Sequence, residues 1–406
     1  EVKMDSQRNY VFTERAHYMC PNMIFGIMAA INKKFDLELI ERGISALMNA
    51  HPFLKSLIAD EKRTGKLYYE LREGLDIPLT VMNDPDNWAK DYEEISLKGW
   101  NVHTQSLLKV LVYPGNDNFR IMFISHHLLC DGRGLLQLIQ EFCEFYDSGK
   151  EPAFTNECLI RSLFDLPDNS DLPFISKVII NDANKKWRKE NKKVTYDEYL
   201  RFEKDYISKN RIKRSIYSAC DDELEKITDK CRQNGISVND WLISKMMIED
   251  RVNKVVIAAD IRDKVKCFNP GAMGNYATAF SVVIKKKYDS QLSLAKLVSS
   301  EVKKICAQPQ KEMLVLSCYT HMDPELIDAV AISSLSDHAS DAARFVGRNM
   351  FGYFSKNGYC ITNLGKIKSD VILEAFFIPP ASPANKKAWG VLTVNDRMMI
   401  CEAAAD

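Results

Sequence analysis

Two adjacent histidines, His126 and His127, are the residues of this sequence whose type and position most strongly suggest chemistry. Asp131 and Gly132 follow them closely, and the 406-residue chain contains only seven histidines in all. A neutral imidazole has a pKa close to neutrality, which suits it to remove a proton from an alcohol or amine as that group bonds to an acyl carbon. The pair therefore offers a candidate general base.

The elements around the two histidines decide where their rings point. A strand is predicted over residues 119–125, with an apolar and therefore buried centre, after another strand at residues 106–113. An amphipathic helix is predicted over residues 135–146. Because successive strand residues point to opposite faces, His126 and His127 cannot both face one cavity if the strand geometry persists. We expect one of them to be structural and the other to face a cleft.

Other interpretations fit the histidine pair when it is taken alone. Two buried histidines bonded to backbone carbonyls would explain it without any catalysis. A metal site is weaker, because no third and fourth ligands lie nearby. A serine or cysteine triad lacks its pattern, since there is no Gly-x-Ser-x-Gly elbow and Cys130 lies in an apolar run. The residues alone leave the general base and the buried structural pair open.

The overall composition excludes several classes of protein. Lysine and arginine number 55, as do aspartate and glutamate, and this balance argues against a nucleic-acid binder. The apolar run at residues 23–31 is far shorter than the roughly 20 residues of a membrane span, and residues 1–10 lack a signal-peptide pattern. Eleven scattered cysteines show no metal-ligand spacing. We therefore expect a soluble, cytoplasmic protein without a bound metal.

Helix and strand patterns alternate along the chain and predict a mixed α/β protein. The first helix begins after Asp36, a residue that can cap it, and ends before Pro52. Later elements are predicted as helices at residues 221–234 and 237–249 and strands at residues 255–259, 358–362 and 390–394.

The composition changes in the middle of the chain, where charged residues crowd residues 184–214. This change predicts an N-terminal lobe over residues 1–165 and a C-terminal lobe over residues 166–406 that includes the charged connector 184–214. The connector is interpreted as a solvated helix or linker between the lobes. The alternative is a docking surface for an acidic partner.

The pattern His-His-x-x-x-Asp-Gly, after an apolar strand and before an amphipathic helix, resembles the signature of the chloramphenicol acetyltransferase superfamily. That superfamily includes nonribosomal peptide synthetase condensation domains, plant BAHD enzymes, alcohol acetyltransferases and polyketide-associated acyltransferases. Further stretches resemble elements of the family in the expected order, and the resemblance covers nearly the whole chain. These stretches are residues 35–54, 235–242, 259–262 with 271–276, and 361–365.

The resemblance implies an α/β fold of two chloramphenicol-acetyltransferase-like lobes with mixed sheets and an active-site channel between them. It implies that His127 is the general base, which takes the proton of the acceptor as the acceptor attacks a thioester directly, without an acyl-enzyme. The donor would be acyl-coenzyme A or an acyl group on a phosphopantetheinyl carrier protein, and no cofactor would be bound. Asn275 and Asn363 are candidate channel residues because of their motif positions.

The same resemblance implies supporting roles for other residues. Asp131 would pair with Arg262 of the second lobe and would not relay charge. His126 would orient the loop, and Gly132 would leave room for the substrate. Breaking a buried pair on one side only costs roughly 3–5 kcal/mol, so the loss of Asp131 would harm the fold as much as the chemistry.

Some family features are missing from this chain. The Asp-Phe-Gly-Trp-Gly motif of the BAHD enzymes is absent, and no carrier segment or adenylation domain is recognisable, so a condensation role needs an acyl or peptidyl carrier protein in trans. The sequence therefore predicts a stand-alone acyltransferase that joins an acyl group to a small alcohol or amine. The alternative is a non-catalytic, condensation-like domain that binds a carrier protein or another partner.

Overall fold

The chain alternates between strands and helices in a computed structural model, which describes residues 8–61, 64–219, 221–338 and 340–405. The strands in these ranges are β1 (Asn9–Tyr10), β2 (Ile24–Ile31), β3 (Ser56–Glu61), β4 (Lys66–Leu71), β5 (Leu79–Val81), β6 (Leu108–Tyr113), β7 (Phe119–His126), β8 (Ile212–Ala219), β9 (Lys254–Asp260), β10 (Ala277–Val283), β11 (Gly358–Ile367), β12 (Ile372–Ile378), β13 (Asn385–Val394) and β14 (Arg397–Ala405). The helices are α1 (Leu37–Ala50), α2 (Trp88–Leu97), α3 (Gly132–Ser148), α4 (Phe174–Glu190), α5 (Tyr196–Lys209), α6 (Asp221–Gln233), α7 (Val238–Glu249), α8 (Gln291–Cys306), α9 (Pro309–Glu312), α10 (Leu314–His321), α11 (Pro324–Leu335) and α12 (Asp341–Val346).

A five-stranded sheet in the order β12-β2-β7-β6-β5 forms the core of the first lobe. β7 lies in its middle and pairs antiparallel with β2 on one side and β6 on the other. The centre of β7 is fully buried, as its apolar run predicts, and α1 and α3 pack against each other beside this sheet. The strand that ends in the two histidines is therefore held rigidly on both edges.

A six-stranded sheet in the order β10-β9-β11-β13-β14-β8 forms the core of the second lobe. It is a mixed sheet, because β11 runs parallel to both β9 and β13 while the other pairs are antiparallel. A smaller sheet in the order β1-β4-β3 completes the described strands. The predicted mixed α/β architecture with two lobes is confirmed.

One strand from late in the chain belongs to the sheet of the first lobe. β12 pairs antiparallel with β2, although β11 before it and β13 after it both lie in the six-stranded sheet. Phe376, Phe377 and Ile378 are almost fully buried, so this apolar strand gains a core that the first lobe provides. The predicted division into residues 1–165 and 166–406 therefore does not describe which strands form each sheet.

The charged connector 184–214 contains packed helices rather than only solvated chain. α4 packs against α12 and α10 and buries Ile180 and Trp187, while α5 buries Tyr199 in the core of the first lobe. Most charged residues of both helices are exposed, whereas Glu203 of α5 is partly buried and accepts a hydrogen bond from Tyr199. Along the described ranges, no helix combines the length and the apolar character that crossing a bilayer requires.

The apolar run at residues 23–31 is a strand, β2, buried along its whole length between β12 and β7. The sequence predicts only that this run is too short for a membrane span, and no strand is predicted there. Both faces of β2 are covered, so it shows no alternation of apolar and polar residues that would have marked a strand.

Candidate active site

His127 is the first residue after β7 and begins the turn that leads to α3. Its backbone N–H donates to the carbonyl oxygen of Met23 over 2.8 Å, and its own carbonyl accepts a 2.8 Å hydrogen bond from Nδ2 of Asn275. Met23 directly precedes β2, so the pairing of β2 with β7 is extended by one residue. The main chain of His127 is therefore fixed from both lobes.

The hydrogen bonds of Asn275 determine which nitrogen of His127 carries the proton. Because Nδ2 of Asn275 donates to the His127 carbonyl, Oδ1 is the atom that faces the ring, 3.0 Å from Nδ1. An amide oxygen can only accept, so Nδ1 of His127 holds the hydrogen and Nε2 presents its lone pair.

Nε2 of His127 has no hydrogen-bond partner in the described part of the chain. This nitrogen is not fully buried, and the residue as a whole is half-buried. The lone pair is therefore accessible to an incoming group. This is the arrangement that a general base requires.

Two aromatic side chains enclose the imidazole of His127. The ring of His17 stacks on it with centroids 4.1 Å apart and planes inclined by 18°. Phe25 of β2 lies on another side, with its centroid 4.9 Å away. His17 was not among the predicted site residues, because it belongs to no motif. The rarity of histidine in this chain is the only feature of the sequence that points to it.

A buried ion pair fixes the element that carries His17. This residue ends a short 3-10 helix, Thr13–His17, in which Arg15 donates to Asp328 of α11 through Nε at 2.9 Å and Nη2 at 2.6 Å. The side chains of Arg15 and Asp328 are 6% and 7% exposed. A two-pronged contact of this kind holds a direction as well as a distance, so the His17 ring is presented at a fixed angle.

Burial lowers the pKa of His127 below its ordinary value of 6.5, while the Asp131 charge and the Asn275 hydrogen bond oppose that shift. Burial also lowers the pKa of His17 well below 6.5, and the neighbouring His127 lowers it further. Both stacked rings are therefore neutral at pH 7. A neutral ring is the form of His127 that can accept a proton.

The carboxylate of Asp131 joins the two lobes beneath the site. Arg262 donates to it through Nη1 and Nη2, each over 2.9 Å, and the backbone N–H groups of Gly134 and Tyr276 donate over 2.9 and 2.8 Å. The bond to Gly134 caps α3. No hydrogen bond joins Asp131 to the His127 ring within the described residues, so its contacts are those of an anchor for the loop that carries Asn275.

His126 occupies a separate and more deeply buried position. Its N–H donates to the carbonyl of Leu107, and its Nδ1 accepts from the N–H of Leu128 over 3.2 Å. Burial lowers the pKa of His126 to about 3. The two histidines therefore face different surroundings, and His126 shapes the turn.

Gly132 makes room for packing between the lobes. A Cβ at this position would stand 2.7 Å from Cδ2 of Leu364 and 3.3 Å from Phe377. In the direction of a Cβ, side chains of the protein therefore occupy the space beside Gly132, and its expected role toward a substrate stays a prediction.

Glu157 holds the loop that carries Asn275 through hydrogen bonds, although it was not among the predicted site residues. Glu157 accepts from the N–H groups of Met273 and Gly274 over 2.7 and 3.1 Å. Asn363 lies elsewhere: its Oδ1 accepts from the N–H of Gly365 over 2.8 Å and shapes an irregularity in β11. The described contacts bring Asn275, but not Asn363, to His127.

The arrangement can remove a proton from a nucleophile but offers no cluster for a metal. Among the described residues, histidine, cysteine, aspartate and glutamate side chains form no group of three or more that could hold a metal ion.

A cavity of about 350 Å³ opens beside β8, between Tyr217, Trp241 and Met398, and does not border His127.

Comparison with known proteins shows the fold. No family model and no curated protein matches the sequence. A trichothecene 15-O-acetyltransferase from Fusarium sporotrichioides superposes with a TM-score of 0.64 at 10% identity, over 98% of this chain and 90% of that chain. Polyketide synthase associated protein 5 from Mycobacterium tuberculosis gives 0.58 at 11%, over 98% and 92%. The epimerization domain from the third module of tyrocidine synthetase B gives 0.57 at 14%, over 97% and 88%. The two-lobed α/β fold with mixed sheets expected from the sequence is therefore confirmed, and these proteins share it.

Proposed function

We propose that this two-lobed protein transfers an acyl group from a thioester to an alcohol or amine, with His127 as the general base. The observation that carries the proposal is the accessible, unpaired Nε2 of His127, which carries no hydrogen because Asn275 holds the ring hydrogen on Nδ1. The donor is acyl-coenzyme A or an acyl group on a carrier protein that acts in trans, and it meets the acceptor at Nε2 of His127. The similarity in fold to an acetyltransferase supports this class of reaction.

The reaction proceeds in one pass, without an acyl-enzyme. Nε2 of His127 takes the proton of the acceptor O–H or N–H as the acceptor oxygen or nitrogen bonds to the thioester carbonyl carbon. The tetrahedral intermediate then expels the thiolate as its C–S bond breaks, and the imidazolium returns the proton to sulfur. The products are an ester or amide and a free thiol.

Asn275 and His17 support the change of charge on the base. As Nε2 becomes protonated, Oδ1 of Asn275 keeps its hydrogen bond to Nδ1–H and so stabilises the imidazolium. The neutral ring of His17 covers one face of the new cation at 4.1 Å, where a π system attracts positive charge. Neither residue has to move during the step.

The direct test measures thiol release. The protein is incubated with mixed acyl-coenzyme A thioesters and with acyl-loaded carrier proteins, each with small alcohols and amines, and products are identified by mass spectrometry. We expect release of free thiol that requires an acceptor, together with a matching ester or amide. Carrier binding without thiol release across the panel would contradict catalysis and favour a non-catalytic partner-binding domain.

The pH dependence of the reaction should reflect the lowered pKa of His127. An ordinary imidazole is half protonated at about pH 6.5 and loses half of its basic form there. Since burial lowers the pKa of His127, we expect kcat/KM to stay at its plateau at pH 6.5 and to fall only at more acidic pH. In the wild type, the hydrogen bond to Asn275 raises the pKa of His127. An Asn275→Ala variant lacks this bond, so its inflection should lie at a still lower pH. A wild-type inflection at or above pH 6.5 would contradict this environment for His127.

Removal of the stacked ring should slow the reaction without unfolding the protein. His17→Ala frees one face of the His127 ring, so we expect kcat to fall roughly tenfold to a hundredfold, the scale at which misplaced catalytic groups act. His17→Phe retains a flat ring and should lose less activity. The measurement is thiol release by both variants alongside their circular dichroism spectra. Equal rates for the alanine variant and the wild type would exclude a positioning role for His17.

A further inference from the structure

The outward face of α4 displays large apolar side chains that no other part of the described chain covers. Phe174 and Ile175 are 80% and 72% exposed, and Val178 and Ile179 are 51% and 45% exposed. These residues occupy the first two turns of the helix. Single exposed apolar residues are common on protein surfaces, but a contiguous group marks a surface that binds something apolar.

The same face becomes basic toward the other end of α4. At 100° per residue, Phe174, Val178, Lys185 and Lys189 fall within one narrow row along the helix. Lys185 and Lys189 are exposed and have no ion-pair partner among the described residues, whereas Lys186 pairs with Asp182 at 3.0 Å. The row therefore joins an apolar end to two free positive charges.

The opposite side of α4 holds the helix firmly to the body of the protein. Asn184 donates to the carbonyl of His321 over 2.8 Å and accepts from the N–H of Asp323 over 2.9 Å, and Trp187 is buried. Arg188 adds a paired contact to Asp323. The exposed row thus belongs to a docked helix with a fixed orientation.

The composition of the row favours a lipid surface over a protein partner. Protein interfaces are enriched in aromatic residues, methionine and arginine and depleted in lysine. Phe174 would suit either kind of surface, but the two unpaired lysines of the row run against the composition of a protein interface. Phenylalanine and branched aliphatic side chains beside lysines are typical of helices that lie in a membrane interface. Free lysines also complement the negative charge of anionic lipid headgroups.

We propose that the outward face of α4 docks this protein on an anionic phospholipid surface. Phe174, Ile175 and Val178 enter the boundary between headgroups and acyl chains, and Lys185 and Lys189 contact lipid phosphates. This surface is built from residues other than those of the candidate active site. The proposal therefore does not depend on the proposed function.

Vesicle flotation tests the proposal with the full chain. Vesicles of phosphatidylcholine alone are compared with vesicles of phosphatidylcholine and phosphatidylserine, at low and high salt. We expect the wild type to float with the anionic vesicles and to bind less at high salt. Phe174→Ser with Val178→Ser should reduce binding about tenfold or more, and Lys185→Gln with Lys189→Gln should remove the preference for phosphatidylserine. Leu71→Ser, at another exposed apolar residue (56%), is the matched control and should bind as the wild type does.

Three results would overturn the proposal. The first is a wild-type protein that does not float with anionic vesicles, and the second is equal flotation of the Phe174/Val178 double variant with an unchanged melting temperature. The third is a concentration-dependent dimer that the double variant abolishes while neither form binds vesicles, which would assign the face to a second copy of the chain. Thiol release in solution should be the same for all these variants, so a failure here is distinguishable from a failure of the proposed function.

Discussion

Replacement of His127 with alanine should abolish thiol release from an acyl thioester while leaving the melting temperature nearly unchanged. The variant loses Nε2, the only atom at the site that we propose takes the proton of the acceptor. Loss of a positioned general base typically costs about 10²- to 10⁴-fold in rate. The fold should tolerate the change because the ring is half-buried and its hydrogen bond with Asn275 is replaceable by water. The measurement is initial-rate thiol release together with thermal unfolding.

Two further variants separate loss of the base from damage to the site. His127→Asn can place an amide N–H where Nδ1–H stood and so keep the bond to Asn275, but it has no basic nitrogen. We expect it to be as inactive as the alanine variant. His338→Ala, remote in its contacts from His127, should retain wild-type rates. Unaltered turnover in either His127 variant would contradict the proposal that His127 is the general base.

Replacement of Arg262 with alanine should be strongly destabilising. The variant leaves the Asp131 carboxylate, whose side chain is 4% exposed, without its cationic partner. The removal of one partner from a buried pair costs about 3–5 kcal/mol. We expect a large fall in the urea midpoint of unfolding, and a fall in activity as well, because the loop from Arg262 to Tyr276 carries Asn275.

A double variant and a surface control identify the source of that effect. Asp131→Asn in the Arg262→Ala background removes the buried charge but keeps an oxygen to cap α3, so it should restore part of the lost stability. Arg232→Ala, which breaks an exposed pair with Asp229, should change the free energy of unfolding by at most about 1 kcal/mol. If Arg262→Ala costs no more than the Arg232 variant, the pair does not anchor the two lobes.

Local patterns in the sequence were sufficient to predict the elements that hold the base. The apolar centre of β7, the helical period of α3 and the cap on α1 all depend on neighbouring residues. The structure places β7 and α3 within a few residues of their predicted bounds, and Asp36 accepts the capping bond from Leu39 over 3.0 Å. The spacing from His127 to Asp131 also follows directly from the chain.

Contacts between distant parts of the chain could not be predicted in this way. His17 stacks on His127 from an element that Arg15 holds in place by pairing with Asp328, which lies 313 residues away. Glu157 holds the Asn275 loop across a gap of 116 residues to Met273 and 117 residues to Gly274. Such pairings depend on the tertiary arrangement, which periodicity and spacing within one segment do not encode.

The position of β12 has a consequence for how the molecule unfolds. The chain leaves the six-stranded sheet, contributes an edge strand to the five-stranded sheet, and then returns. Unfolding of β11 and β13 would therefore draw β12 away from β2, and β2 would be left with an open, apolar margin prone to aggregation. The two halves are interlaced, and their melting should be a single cooperative event.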